Sequence, residues 1–264
     1  SINSIRKDPD SDYYNHVIDI YDSSDLLFVN SINVTCCNLV LSDYKWSPDS
    51  TMIVVLVDTD NVSGFSSSTG ETIFSLSYLH GSDYIDWLSN DEIVLYGYGK
   101  HTTVQKLDSV DKYTCTKHHH NTISVVVSPH MDGQFAVLTD GSVRIWDFNS
   151  IGNKTPIREI PFDESFIPTA NNIAWSQNGF VAFSNVTKVA ILNTNNNTMC
   201  IHDGINGINR LVFSPTGEFL VGTRDSGIYN IHIFPINKET ISETPVKSYN
   251  AGGRLLHISF SSNN

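Results

Sequence analysis

The stretch Val125-Val-Val-Ser-Pro-His-Met-Asp-Gly-Gln-Phe-Ala-Val-Leu-Thr-Asp-Gly-Ser-Val-Arg-Ile-Trp-Asp147 decides how the rest of the chain is read. An apolar triplet runs into Ser-Pro, a turn starter, and Gly133 completes a polar turn. A second apolar run follows, too short for a helix and rich in β-branched and aromatic residues. Asp140-Gly141 is a strong hairpin signal, and a third run ends in Trp146-Asp147. The segment therefore predicts three antiparallel strands joined by tight turns.

The same pattern recurs on both sides. Apolar triplets ahead of a Ser-Pro-like turn fall at Asp19-Ile-Tyr21, Tyr44-Lys-Trp46, Ile85-Asp-Trp87, Val125-Val-Val127, Ile173-Ala-Trp175, Leu211-Val-Phe213 and Ile258-Ser-Phe260. From residue 46 onward their third members are 41, 40, 48, 38 and 47 residues apart. Each of the middle triplets is followed by a further apolar run: Met52-Ile-Val-Val-Leu56, Ile93-Val-Leu95, Phe135-Ala-Val-Leu138, Phe180-Val-Ala-Phe183 and Phe219-Leu-Val221. Runs apolar at consecutive positions suit strands covered on both faces. No segment carries a helical period.

A repeat of about 40–45 residues, one four-stranded sheet each, resembles the WD40 family. The resemblance is fullest around residue 128. His118 stands ten positions before Ser128, where the family has the His of its Gly-His pair, although the Gly is missing here. Asp140 occupies the tight turn and Trp146 the following strand. The resemblance implies that His118, Ser128, Asp140 and Trp146 form a hydrogen-bonded structural chain, which rigidifies a sheet when every member is satisfied. Asp225 resembles the Asp position of a later repeat. The implied fold is all-β: a single WD40-like β-propeller of six or seven four-stranded blades, with room for one to be incomplete. It spans 17–264 behind an acidic extension at 1–16. The interval from 21 to 46 is one strand short, and the last triplet lies four residues from the final residue. Either a terminal hybrid blade closes the ring or the chain is a fragment.

Charge is unevenly placed. Residues 1–111 hold 17 acidic and 5 basic side chains, the whole of the net −12, whereas 112–264 hold 11 of each. An acidic face attracts Lys/Arg-rich partners and repels nucleic-acid phosphates. Asp8, Asp10, Asp12, Asp22 and Asp25 are the partner-binding candidates; the alternative is a solubilising surface. The four cysteines, Cys36, Cys37, Cys115 and Cys200, contain no C-x-x-C pair. They read as buried thiols in a reducing compartment, cytoplasmic or nuclear. Five N-x-S/T triplets, at Asn33, Asn61, Asn153, Asn185 and Asn196, leave secretion as the alternative. No apolar window is long enough to span a membrane, and no signal peptide is visible.

Enzyme signatures are missing: no P-loop, no G-x-G-x-x-G after a strand, no H-E-x-x-H, no G-x-S-x-G. His118-His119-His120 with Cys115 cannot converge on one metal from a strand, because side chains alternate. The expectation is therefore a non-catalytic protein-interaction scaffold, a subunit of a larger assembly, with no cofactor and no metal. A propeller attached to a serine peptidase, suggested by Trp46-Ser-Pro-Asp-Ser50, would need a hydrolase domain for which this chain has no room.

The start of the chain also resembles the propeller entry of the Fizzy family, activators of the anaphase-promoting complex. The residues are Asp8-Pro9-Asp10, Asp12-Tyr13-Tyr14, Val17-Ile18-Asp19 and Ser23-Ser24-Asp25-Leu26-Leu27-Phe28-Val29. Val125–His130 and Asn172–Ser176 look like later blades of that family. Ile20 replaces its Trp, Asp8 and Pro9 lack the family's intervening residue, and its Arg-Tyr/Phe-Ile-Pro box and terminal Ile-Arg are absent. This resemblance implies a substrate adaptor of a ubiquitin ligase in cell-cycle control.

Overall fold

A computed structural model describes residues 2–7, 14–22, 25–36, 43–58, 60–77, 82–97, 102–108, 112–114, 122–130, 133–148, 155–163, 166–169, 172–203, 208–224, 230–237, 240–241, 244–251, 258 and 260. Regular structure among them is antiparallel sheet, with no α-helix. The chain divides into two compact units, Ser1–Thr116 and Lys117–Asn264.

The first unit holds three sheets. β1 (Ile2–Lys7), β2 (Tyr14–Tyr21) and β3 (Phe28–Cys36) form a three-stranded sheet in that order. β4 (Asp43–Trp46), β5 (Met52–Asp58), β6 (Asn61–Ser66) and β7 (Thr72–Ser77) form a four-stranded meander. β8 (Tyr84–Trp87), β9 (Glu92–Tyr96), β10 (Thr103–Lys106) and β11 (Lys112–Thr114) form another.

The second unit holds three more sheets. They are β12 (Thr122–Val127) to β15 (Arg158–Pro161), with β13 (Gln134–Thr139) and β14 (Ser142–Asp147) between, and β16 (Ile173–Trp175) to β19 (Thr198–Asp203), with β17 (Phe180–Ser184) and β18 (Lys188–Asn193) between. The last contains β20 (Ile208–Phe213), β21 (Phe219–Arg224) and β22 (Asn230–Asn237). The far edge of β22 is shared by β23 (Thr240–Ile241) and β24 (Lys247–Asn250).

Five of the seven apolar triplets end first strands of sheets, at Trp46, Trp87, Val127, Trp175 and Phe213. Tyr21 departs from the ladder: it ends β2, a middle strand, in which His16, Val17, Ile18 and Ile20 are all buried. Residues 258 and 260 belong to no strand. The division drawn between residues 16 and 17 falls inside β2, and Ile2–Lys7 pair along it from Ile2↔Asp19 to Lys7↔Tyr14.

The turn after each first strand shows why Ser-Pro recurs. Ser47, Ser176 and Ser214 each donate their N–H to the carbonyl of the residue that opens the next strand (Met52, Phe180 and Phe219). Their hydroxyl oxygens accept the N–H of that same residue at 2.9, 3.0 and 3.1 Å. One buried serine thus clasps both ends of the turn, satisfying backbone groups that burial would otherwise leave unpaired. The turn needs a left-handed residue three positions on. Gly179 and Gly217 supply it at φ 79° and 70°, and Ser50 takes the equivalent place at φ 62°.

The cores lie between consecutive sheets of a unit. Val54, Leu56 and Val62 pack on Ile85, Trp87, Ile93 and Leu95. Ala136, Leu138, Val143 and Ile145 pack on Val181, Phe183, Ala190 and Leu192. Ile53, Val54, Val55 and Leu56 are all fully buried because β5 is covered on both faces. Each such side chain contributes about 1.5–3 kcal/mol relative to exposure. Polar ties cross the same seams: the Trp87 indole donates to the Lys45 carbonyl at 3.3 Å, and Asn172 Nδ2 donates to the Ile208 carbonyl at 2.7 Å.

Candidate partner-binding surface

The β2–β3 hairpin breaks the inside-out pattern of the first unit. The buried part of its sheet stops at Ile20 and Ile32, and beyond it Asp22 and Leu27 are tied by backbone hydrogen bonds. Asp22 N–H donates to the Leu27 carbonyl at 2.9 Å, Leu26 N–H donates to the Asp22 carbonyl at 3.0 Å, and Asp25 Oδ1 accepts the Leu27 N–H at 3.0 Å. Leu26 sits at φ 59°, a left-handed conformation that costs a residue with a Cβ about 1–2 kcal/mol. Four consecutive apolar side chains then face solvent: Leu26 is 74% exposed, Leu27 65%, Phe28 59% and Val29 51%. Phe28 leans edge-on against Tyr21, with ring centroids 5.9 Å apart. Single exposed apolar residues are ordinary, but a contiguous run with polar neighbours marks an interaction site. The exposed carboxylates of Asp22 and Asp25 flank the run.

Of the five acidic candidates, the structure therefore brings Asp22 and Asp25 together on one hairpin; Asp8, Asp10 and Asp12 lie outside the described residues. The apolar part of the surface was missed in the sequence. Leu26-Leu27-Phe28-Val29 has the composition of a core strand, and nothing local reveals that its side chains are exposed.

The residues of the resemblance around Ser128 are placed as follows. Ser128 is buried in the turn after β12; its N–H donates to the Gln134 carbonyl and its Oγ accepts the His130 N–H at 3.3 Å. Asp140 is exposed in the β13–β14 turn. Trp146 is buried in β14 and stacks on Phe135 at 6.5 Å, and its indole N–H has no partner among the described residues. His118, His119, His120, Cys115 and Asp225 lie outside the described residues. Among those described, no group of three or more His, Cys, Asp or Glu side chains could hold a metal ion. Cys200 is a half-buried free thiol in β19.

A second cluster was not anticipated. Asp43 opens β4 and Asp86 lies in β8, the first strands of two neighbouring sheets. Asp43 accepts the N–H groups of Tyr44 at 2.9 Å and Ile85 at 3.2 Å, and Asp86 accepts that of Trp87 at 2.9 Å. Both carboxyls serve the backbone. Burial pushes each above the ordinary carboxylate range, and the Lys45 ammonium pulls back only in part. Burial also holds the Tyr96 phenol well above its usual value, with Asp86 and Asp43 adding to the shift.

A carboxyl whose folded-state value is raised binds its proton more tightly when folded, so its contribution favours the folded state at acid pH and is lost as pH rises above about 4. Asp86→Asn, which keeps an acceptor for Trp87 N–H, is therefore expected to stabilise the first unit at pH 7. The gain should shrink towards pH 4 in parallel denaturant titrations. Curves for the two proteins that stay equally spaced across this range would contradict the assignment.

No family model and no curated protein matches the chain by sequence. Solved structures do match by shape. One is the β-propeller domain of Cps50 (Swd1) from Myceliophteria thermophila, with a TM-score of 0.69 at 12% identity over 94% of this chain and 86% of that one. A chain of the mitotic checkpoint complex matches with a TM-score of 0.69 at 14% identity, over 87% of this chain and 73% of that one. The C-terminal WD40 domain of Sif2 matches with a TM-score of 0.67 at 14% identity, over 95% of this chain and 72% of that one. The six antiparallel sheets among the described residues and these likenesses together define the fold: this is a WD40-type β-propeller.

Proposed function

We propose that the chain is a non-catalytic interaction scaffold, a subunit of a larger assembly in the cytoplasm or nucleus. Its β2–β3 hairpin docks a segment of a partner protein that carries both basic and apolar side chains. The observation that carries this reading is the run of four exposed apolar residues, 26–29, which begins at left-handed Leu26 just after the carboxylates of Asp22 and Asp25. Apolar contact supplies affinity there, and the carboxylates select for Lys or Arg and speed encounter. The same attraction is proposed for Asp8, Asp10 and Asp12. Loops on a rigid β frame are where such proteins place their binding residues.

The test uses a capped ten-residue peptide of alternating Lys and Leu, followed by fluorescence anisotropy. Leu26→Ser/Leu27→Ser and Asp22→Asn/Asp25→Asn are each expected to weaken binding at least tenfold. These side chains are exposed, so the melting temperature should stay close to that of the parent. Raising salt from about 50 to 500 mM should weaken binding further, because exposed charges are screened. Binding that is indifferent to both variants and to salt would defeat the proposal.

A Fizzy-like substrate adaptor is the second reading. It draws on the N-terminal resemblance and on the likeness to a chain of the mitotic checkpoint complex, which at 14% identity speaks for the fold. Binding of short degron peptides would favour it.

A further inference from the structure

We propose that the second unit carries a separate docking site, a cleft that accepts an acidic side chain of an extended peptide. The cleft lies between the β12–β15 and β16–β19 sheets and has a volume of about 340 Å³. It goes beyond the hairpin docking proposed above and does not depend on it, since it lies in the other unit and selects the opposite charge.

Arg158, the first residue of β15, is the centre of the site. Its Nη1 donates to the Thr194 carbonyl and, at 3.3 Å, to Asn197 Oδ1. Both acceptors are neutral and both come from the β18–β19 turn, so the guanidinium is held in place without being neutralised. The ion pairs seen in this unit, Arg144 with Glu159 and Lys188 with Asp203, do not involve it. Among the described residues Arg158 has no carboxylate partner, and no carboxylate lines the cleft. A guanidinium presents five donors in a planar fork that matches a carboxylate two-for-two. Arg158 is exposed, and a guanidinium oriented by neutral acceptors with no carboxylate partner among the described residues is complementary to one anionic group.

The rest of the lining narrows the ligand. Half-buried Trp175 offers a ring surface for an apolar neighbour, and the side-chain amide of Gln177 offers donors and an acceptor to a peptide backbone. Among the described residues no lysine lines the cleft and Arg158 is its one arginine, which suits a carboxylate better than a phosphate of nearly double the charge. The residues come from five separate stretches between 128 and 195, so no sequence motif announces the site.

The probes are a capped ten-residue peptide of alternating Glu and Leu, its Gln-for-Glu copy and its phosphoserine-for-Glu copy, titrated into the full chain at pH 7. The Glu peptide is expected to bind at least tenfold more tightly than the Gln copy and more tightly than the phosphoserine copy. Arg158→Gln should remove that preference, Arg158→Lys should restore part of it, and Leu26→Ser/Leu27→Ser should leave it unchanged. On the unaltered protein, the Trp175 indole N–H resonance should shift with the Glu peptide and stay put with the Gln copy, a readout that does not require a variant to fold. Equal affinities for the Glu and Gln peptides would overturn the proposal. So would a preference that survives in Arg158→Gln, tighter binding of the phosphoserine copy, or no binding by any peptide.

Discussion

Trp146→Ala is expected to lower the stability of the second unit by about 3–5 kcal/mol, the range for removing a buried aromatic ring from a packed core. Trp146 is 2% exposed, pairs in register with Phe135 across β13–β14 and stacks on its ring. Phe135 is itself fully buried, so alanine would leave a cavity whose walls lie in strands covered on both faces and can collapse only slightly. The chain contains its own control. Trp46 ends β4 in the same kind of triplet yet is 36% exposed, so Trp46→Ala should cost well under half as much. Denaturant midpoints compared at a constant slope measure both. A Trp146 variant that melts with the parent would mean that the ring is not part of the core.

Asn172→Ala is expected to cost about 1–3 kcal/mol, for a different reason. Asn172 is fully buried ahead of β16. Its Nδ2 donates to Ser184 Oγ in its own sheet and to the Ile208 carbonyl in the next, with Thr169 Oγ1 at 3.3 Å. Its backbone carbonyl, which alanine would keep, accepts the Ser184 N–H at 3.3 Å. Alanine deletes the donor but leaves the acceptors in place, and a buried acceptor that loses its partner keeps the full desolvation cost. Ser184 Oγ, which itself donates to the Ile208 carbonyl at 3.1 Å, offsets part of the loss. A double-mutant cycle with Ser184→Ala should therefore show coupling between the two sites. Strict additivity would mean that the two side chains do not share the Ile208 carbonyl.

Much of the fold was legible because it rests on local chemistry. The Ser-Pro turns, the left-handed glycine positions and the doubly covered second strands each write themselves into a few consecutive residues. Met52–Leu56, Ile93–Leu95, Phe135–Leu138, Phe180–Phe183 and Phe219–Val221 all fall within β5, β9, β13, β17 and β21. The first sheet was harder. Val17-Ile18-Asp19-Ile20 looks like the other first strands, and only its pairing with both β1 and β3 shows it to be a middle strand.

The candidate sites divide along the same line. Acidic residues can be counted in a sequence, so Asp22 and Asp25 could be named as candidates from it. Exposure cannot, because Leu26–Val29 has the composition of a core strand. The Asp43–Asp86 cluster joins strands 43 residues apart and the Arg158 cleft draws on segments spread from 128 to 195, and their character comes from burial in the first and from unpaired charge in the second.

The most direct test of the scaffold reading is a quantitative comparison of the proteins recovered with the intact chain and with Leu26→Ser/Leu27→Ser. Both would be expressed at equal level in the source cells and captured at low and at high salt. The expected result is a fixed set of partners, enriched in Lys/Arg-rich segments, that is retained by the intact chain at low salt, reduced at high salt and lost from the hairpin variant. Recovery of the same proteins in the same amounts from both chains, whatever the salt, would contradict docking through the β2–β3 hairpin.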